Sequence, residues 1–379
     1  VLPACSPDTR AASLVRLRSG TFDVLILGGG INGAGIARDL SLRARYTGAS
    51  LDLALVEQRQ FGSGTSGKNS QLIHGGLRYL KNLEFRLVRE ALHERAVLLR
   101  LAPHLVEPLP FLLPIYSRFA RLQYGCGLWL YDKLAGDRAI GRRDSLTPDR
   151  VRELEPGLDA AGLTWGAIFY DARVHSARFV LANVWDAVRN GAVAANYIAA
   201  EMPRRDGRLW RVRLRDVETG ETFETRARKL VDTTGPWSEA GGLRLVRGSH
   251  IIVPRVNAGP HAIAHFDPSG RILFVIPWGE AGGVSLVGTT DVDHQAGPEE
   301  VRISRDELDY LAGNVRRLFP TADLTPRAAF SSLRPLLRGL ARSATRTSRE
   351  HRIWNDEEGI VRVAGGKYTT YRVMSQEAA

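Results

Sequence analysis

The chain is short of cysteine, methionine and lysine. Its 379 residues include two cysteines, Cys5 and Cys126, with no CxxC pair and no Cys/His cluster. That argues against a disulfide framework and a thiolate-built metal centre, so no metal is expected and a reducing compartment is. No apolar run nears the ~20 residues that cross a bilayer. The opening VLPACSPDTRAASLVRLRSG lacks the apolar core of a signal peptide and reads as a short helical or loose leader. Any membrane contact is therefore expected from one side. Nucleic-acid motifs, internal repeats and low-complexity tracts are also missing. Only five of the 52 basic residues are lysines (Lys68, Lys81, Lys133, Lys229, Lys367), and the arginines are scattered. The net charge of +11 reads as a solvated basic surface, compatible with an anionic membrane or an anionic substrate and with no nucleic acid.

What is present is apolar residues at 44% and 38 glycines, as in an α/β protein of about two domains. FDVLILGGGINGAGIARDL (22–40) starts with a short apolar run expected as a doubly buried strand. Gly28, Gly30 and Gly33 form GxGxxG and lead into a helix that is expected to run to about Arg45. LDLALVE is a second strand ending on Glu57. In such a unit Gly28 permits the turn and Gly30 lets backbone approach a pyrophosphate. Gly33 lets helix and strand pack closely, and an acid such as Glu57 accepts from an adenosine ribose. Gly28 and Glu57 are further apart than usual, and ARYTGAS supplies the extra loop. This order of elements predicts a dinucleotide.

Downstream, residues 80 to about 102 and 176–191 read as helices. Residues 195–235 read as a β-meander with turns at Asp206-Gly207 and Thr219-Gly220. SHIIVPR, AIAHF, RILFVIPW and GVSLVGTTDV predict an antiparallel sheet in a second domain. Ser304 is the expected cap of a helix over 304–319. A hairpin turning at Glu358-Gly359 precedes a final helix. VDTTGPWS (231–238) and VAGGKYTTYR (363–372) are strand ends opening into glycine turns, suited to presenting backbone amides to a flavin.

The segments QLIHGGLRYL, GPW, GSHIIVPR, FVIPW, GTTDV, LRPL and GGKYTTYR, with the GxGxxG unit, occur in the order and spacing of a known family. The chain resembles the FAD-dependent, quinone-linked glycerol-3-phosphate dehydrogenases, within the wider D-amino-acid-oxidase superfamily. The likeness spans residues 22–372. It departs at TSGKNSQLIHGG, where Gln71 replaces the usual lysine, at DTTGPW for NATGPW, and at HSARF for DDARL. Relatives continue past GGK into a helical C-terminal domain, whereas this sequence stops soon after Lys367.

The fold the resemblance implies is a Rossmann-like FAD-binding α/β domain joined to an α+β substrate domain on an antiparallel sheet, with that helical domain absent. The expected division is FAD domain 18–105, 165–240 and 353–379, and substrate domain 106–164 and 241–352. The implied reaction oxidises sn-glycerol 3-phosphate to dihydroxyacetone phosphate by hydride transfer from C2 to flavin N5, with electrons passed on to a quinone. Non-covalent FAD, a phosphorylated polyol substrate and a cytoplasmic site, peripheral on the inner membrane face, go with it; a homodimer is left open.

Phosphate ligands are expected in Arg78, Arg334 and Lys367, since a guanidinium fork suits two phosphate oxygens. Arg78 has a surface ion pair as its alternative. Arg334 sits amid apolar neighbours and needs either a ligand or an internal carboxylate. Tyr79 projects toward substrate beside Arg78, and Thr290 either binds substrate or is a plain strand residue. His250 is the candidate base, with a core histidine as its alternative. For the cofactor, the expected neighbours beyond the GxGxxG turn, Asn32 and Glu57 are Thr65, Ser66, Ser70 and Leu72. His74 and Gly75 join them, with Gly76 letting backbone approach the ring and His74 equally readable as structural. Ile198 is expected at the adenine. Thr234, Gly235, Trp237, Gly365, Gly366, Lys367, Tyr368 and Thr369 complete the set. Rival readings are an amine or amino-acid oxidase of the same fold, an oxygen-using glycerol-3-phosphate oxidase, and a non-catalytic flavin-binding remnant.

Overall fold

The computed structural model describes residues 7–82, 84–201, 203–239, 241–279, 283–338 and 350–379. The side chains of Arg78, Lys81 and Asn82 lie outside that description. Two sheets organise the chain.

The first has nine strands around a parallel core. Thr21–Leu27 lies between Leu53–Glu57 and Thr222–Asp232, with Val193–Asn196 and Val361–Gly365 further out, all parallel. The doubly apolar reading of these strands follows from burial on both faces. Ile26 packs with Ile36, Val184 and Tyr371, which belong to the helices on one side. Its neighbours Leu25 and Leu27 pack with Leu17, Trp210 and Leu214 on the other. The helix Ile31–Thr47 follows the glycine turn and stops at Gly48, whose φ of 69° closes its last turn. The meander strands Leu209–Asp216 and Thr222–Asp232 pair antiparallel. His351–Asn355 and Val361–Gly365 form the expected hairpin.

The second sheet has ten strands and is mostly antiparallel. One of its long pairings, Val106–Ile115 with Trp165–Val174, alternates side chains between two cores. Phe111 and Leu113 join Leu92, Leu128 and Tyr131 under two helices. Leu112 joins Leu311, Val315 and Leu318 of the helix Arg305–Leu318 on the far face. That helix starts with a reciprocal capping box between Ser304 and Glu307.

Sheet membership differs from the expected division at two segments. Residues 165–174 and the short strand Leu72–Ile73 run in the second sheet, not with the dinucleotide unit. The helix Arg118–Ala135 was not legible at all. It is apolar on its exposed side as well as its buried one, so no helical period stands out.

Candidate flavin and substrate site

Thr21–Leu27, Leu53–Glu57, Thr222–Asp232 and Val361–Gly365 of the first sheet end at one cavity of ≈ 570 Å³, as the strands beside ligand crevices of such sheets do. Gly28 has φ +100°, and a Cβ there would press on the Thr233 carbonyl. A Cβ on Gly33 would overlap the Gly28 carbonyl, which is why strand and helix can lie so close there. Gly30 lines the cavity, and Ser66 Oγ accepts from the first helical amide, Ile31 N, at 2.9 Å. Glu57 is fixed by backbone. Its two oxygens accept from Gly29 N at 2.7 Å and Arg59 N at 2.9 Å, and the side chain lines the cavity. Burial pushes the Glu57 carboxyl up, against the lowering pull of those amides. A carboxylate oxygen accepts two hydrogen bonds, so both retain capacity for ribose hydroxyls. A glycine-floored turn, a helix N-terminus and an acid at the next strand's end are the parts an adenine dinucleotide needs. The residues present fit FAD.

Of the other expected cofactor neighbours, Asn32, Thr65, Ser66, Ser70, Leu72 and His74 line this cavity. So do Ile198, Thr234, Gly235, Trp237, Gly365, Gly366 and Tyr368. Thr65 and Ser332 tie the 61–70 loop to the strand Ala328–Leu337, by Thr65 Oγ1 to Leu333 O at 2.5 Å and Ser332 Oγ to Lys68 O at 2.6 Å. Tyr368 donates to Ser176 O at 2.7 Å. Gly365 and Gly366 have φ of 76° and 78° and turn the chain under the Met374 side chain.

Some expected residues face elsewhere. Gly33 packs helix on strand, as above, and does not line the cavity. Gly75 does not line the cavity, and its N donates to Tyr131 Oη at 2.9 Å and Asp171 Oδ1 at 3.2 Å. Thr369 Oγ1 bonds the backbone of His74 and stiffens the 71–80 loop from behind. Thr290 is the clearest correction. Its buried hydroxyl donates to Glu307 Oε1 at 2.6 Å and accepts from Ser249 N at 2.9 Å, so it does not reach a ligand. The residues on either side, Thr289 and Asp291, line the cavity instead. Arg78 has its backbone in the 3₁₀ turn Leu77–Asn82, and its side chain lies outside the described residues.

Of the cations that line the cavity, Arg59, Lys68, Arg334 and Lys367, the last two are the expected ones. Lys367 Nζ lies 3.9 Å from the centroid of the Tyr79 ring, and both residues line the cavity. Arg334 lines it too and has an internal carboxylate besides. Its Nη1 donates to Thr290 O and to Asp291 Oδ1, both at 3.0 Å, and its Nη2 to Thr289 Oγ1 at 2.9 Å. Of the two options read from the sequence for Arg334, the internal carboxylate is Asp291.

His250 lines the cavity, is 1% exposed, and lies flat on Phe330 with ring centroids 4.9 Å apart. Its Nε2 is 2.9 Å from Ser70 Oγ. Burial, then the nearby Arg334 charge, pulls its pKa down to about 3. A nitrogen that weakly basic is a poor proton acceptor near neutral pH, which argues against the expected base.

Sequence reading missed the support behind the 71–80 loop. Asp171 lines the cavity, pairs with the buried Arg95 at 2.6 Å and accepts from Tyr131 Oη at 2.8 Å. An arginine inside an apolar helical stripe, as Arg95 is, was the available signal. It also missed a clasp at the rim. Glu299 accepts from Trp237 Nε1 at 2.7 Å and pairs with Arg59, joining the loop after each of two strands to the second sheet.

The profile of the family described as DAO, FAD dependent oxidoreductase, matches residues 23–369. The chain belongs to that family of flavoproteins, and FAD is its cofactor. Among named relatives, it is 38% identical over 99% of its length to a glycerol-3-phosphate dehydrogenase of Mycobacterium leprae, covering 65% of that protein. It is 36% identical over 94% of its length to the aerobic glycerol-3-phosphate dehydrogenase of Escherichia coli, covering 72% of it. The FAD complex of a Bacillus halodurans glycerol-3-phosphate dehydrogenase superposes with a TM-score of 0.76 at 28% identity. That match covers 97% of this chain and 66% of the other. The chain thus spans a little under two thirds of the Mycobacterium relative.

Proposed function

We propose that the protein oxidises sn-glycerol 3-phosphate to dihydroxyacetone phosphate, removing a hydride from C2 and the proton of its hydroxyl. The observation that carries this reading is that Arg334 and Lys367, from separate elements, both line the cavity that Gly28, Gly30 and Glu57 also line. Arg334 and Lys367 together match a phosphate dianion better than the single carboxylate of an amino acid. Bound FAD supplies the two-electron acceptor. The chain's own part is to hold the phosphate with Arg334 and Lys367, with the side chain of Arg78 as a third ligand. Tyr79 packs its ring against the Lys367 ammonium and holds it in place. The proton of the substrate hydroxyl passes to solvent water as the hydride leaves, without His250 as base. His250 is assigned an orienting role through Ser70.

In this proposal electrons leave for a quinone, and the protein works at the inner face of the cytoplasmic membrane. Among the described residues no helix is long and apolar enough to cross a membrane. The helix Arg118–Ala135 supports contact from one side. Phe119, Leu122 and Trp129 are 77%, 67% and 54% exposed and fall on one helical face, beside Arg118 and Arg121.

The test is anaerobic mixing of the FAD-loaded chain with glycerol 3-phosphate while following the flavin band near ~450 nm. Bleaching is expected, with none from glycine or D-alanine at equal concentration. Bleaching by the amino acids alone would favour the amine-oxidase reading. No bleaching by any of them, with dithionite still reducing the flavin, would favour a non-catalytic flavoprotein. Peroxide formed stoichiometrically in air, with no reduction of a quinone analogue, would assign oxygen as acceptor.

A further inference from the structure

We infer that Glu307 is a positioning residue for Arg334, acting through the Thr289–Asp291 turn and over the bare face of Gly248. The inference rests on the proposed phosphate-binding role of Arg334 and adds what sets that guanidinium in place.

The strand Ala328–Leu337 pairs with Leu243–Pro254, which puts Val246 opposite Arg334 and Gly248 opposite Ser332. From there the Arg334 side chain runs back across the sheet surface. A Cβ built on Gly248 would fall inside its guanidinium. Any side chain at 248 would lift the group off the sheet. The φ of Gly248 does not require glycine, since it is not among the positive values; the close approach does. Gly288 does the same for the His250 ring, so the two polar side chains lie flat side by side.

The far side of the guanidinium is held by Thr290 O, Asp291 Oδ1 and Thr289 Oγ1. A planar fork gripped by three acceptors has one orientation. That grip is only as fixed as the turn that offers it, and the turn is anchored by Thr290, whose hydroxyl reaches Glu307. Glu307 is 4% exposed. Its Oε1 also accepts from Ser249 Oγ at 2.8 Å, and its Oε2 lies 2.9 Å from Arg247 Nε and 3.0 Å from Ser304 N. Ser249 Oγ contacts Ser331 Oγ at 2.7 Å, which closes the network onto the strand of Arg334. One carboxylate thus fastens the helix start, two strands and the turn. Burial works against its charge, but the surrounding donors prevail and hold the Glu307 carboxyl below its ordinary range. It therefore stays ionised and keeps its grip at neutral pH.

The test uses the FAD-loaded full chain and inorganic phosphate as the probe, with binding read from the perturbed flavin spectrum. Turnover is not needed for it. Thr290→Val keeps the shape and deletes the hydroxyl, whereas Thr290→Ser keeps the hydroxyl. Thr290→Val, Glu307→Gln and Gly248→Ala are expected to weaken phosphate by about 10- to 100-fold, the usual effect of a misplaced ligand group. FAD retention should be unchanged, and Thr290→Ser should bind as the native chain does. With glycerol 3-phosphate, KM should rise by a like factor and kcat by far less, the mark of lost ground-state binding. Native phosphate affinity in Thr290→Val overturns the inference, as does equal loss in Thr290→Ser. So does a native chain that binds no phosphate. If the native chain binds phosphate with this pattern but glycerol 3-phosphate does not bleach the flavin, the positioning role stands and the proposed substrate falls. Glu307→Gln risks the fold, and Thr290→Val decides in that case.

Discussion

At the guanidinium of Arg334, charge meets a desolvated wall. Arg334→Met should retain FAD and lose ~30-fold or more in kcat/KM with glycerol 3-phosphate, as removal of a charge-assisted contact of about 2–5 kcal/mol does. Steady-state kinetics against glycerol, which has no phosphate, checks this; equal losses on both substrates would leave Arg334 an ordering role only. Glu57→Gln should weaken FAD retention more than it alters chemistry in saturating FAD, measured by release through a desalting column. His250 gives a pH effect with a defined sign. Its folded pKa is depressed to about 3 from the ordinary 6.5. Above 6.5 it is neutral in both states. As pH falls from 6.5 toward 3 the unfolded chain takes up the proton and the folded one does not. The histidine therefore contributes a loss of up to about 1.4 kcal/mol per pH unit in that window. His250→Gln, which cannot titrate, should show a shallower fall of unfolding midpoint across it, followed by denaturation at constant salt.

The element most changed by seeing the structure is the 71–80 loop. The sequence places His74, Gly75 and Gly76 of this loop beside the cofactor and Arg78 and Tyr79 toward substrate. His74, Gly76, Leu77 and Tyr79 do line the cavity. The reason for Gly76 differs from a bare need for space beside the ring. Its φ is +83°, and a Cβ would overlap the Tyr79 side chain. Gly76→Val should displace Tyr79 and Lys367 and lower FAD occupancy, visible as a reduced ratio of flavin to protein absorbance; native occupancy would show that the loop yields without disturbing the cofactor. What was legible here was local: strand, glycine turn, helix, acid and caps are written in runs of a few residues. What was hidden depends on contacts far apart in sequence. Asp171 behind Gly75, Glu307 behind Thr290 and Glu299 across Trp237 are unexceptional acids until folding brings them 96, 17 and 62 residues across. Thr290 was misread for a related reason. Thr289–Asp291 form the turn after the strand Val284–Gly288, and which of their side chains faces the cavity is set by contacts such as Thr290 with Glu307 that no motif supplies.

The exposed apolar face of the helix Arg118–Ala135 lies apart from the cavity, which no residue of that helix lines. If the helix Arg118–Ala135 meets a bilayer, sedimentation with vesicles containing anionic lipid should bring the protein down at low salt. Phe119→Ser with Trp129→Ser should abolish this while FAD content stays the same. Equal sedimentation of that variant would place the contact elsewhere.

The cavity is walled by both sheets. Leu27, Val56 and Gly365 come from the first, and Phe274, Asp291 and Arg334 from the side of the second. A ligand seated there is part of the folded state's mass balance, because the unfolded chain has nowhere to put it. At free FAD a hundred times its Kd, binding adds about 2.7 kcal/mol to the stability of the whole, and each further tenfold adds about 1.4. Melting curves at graded FAD should rise in step with the logarithm of its concentration. The resistance of this chain to heat is then a joint property of the polypeptide and of how much cofactor the surrounding solution supplies.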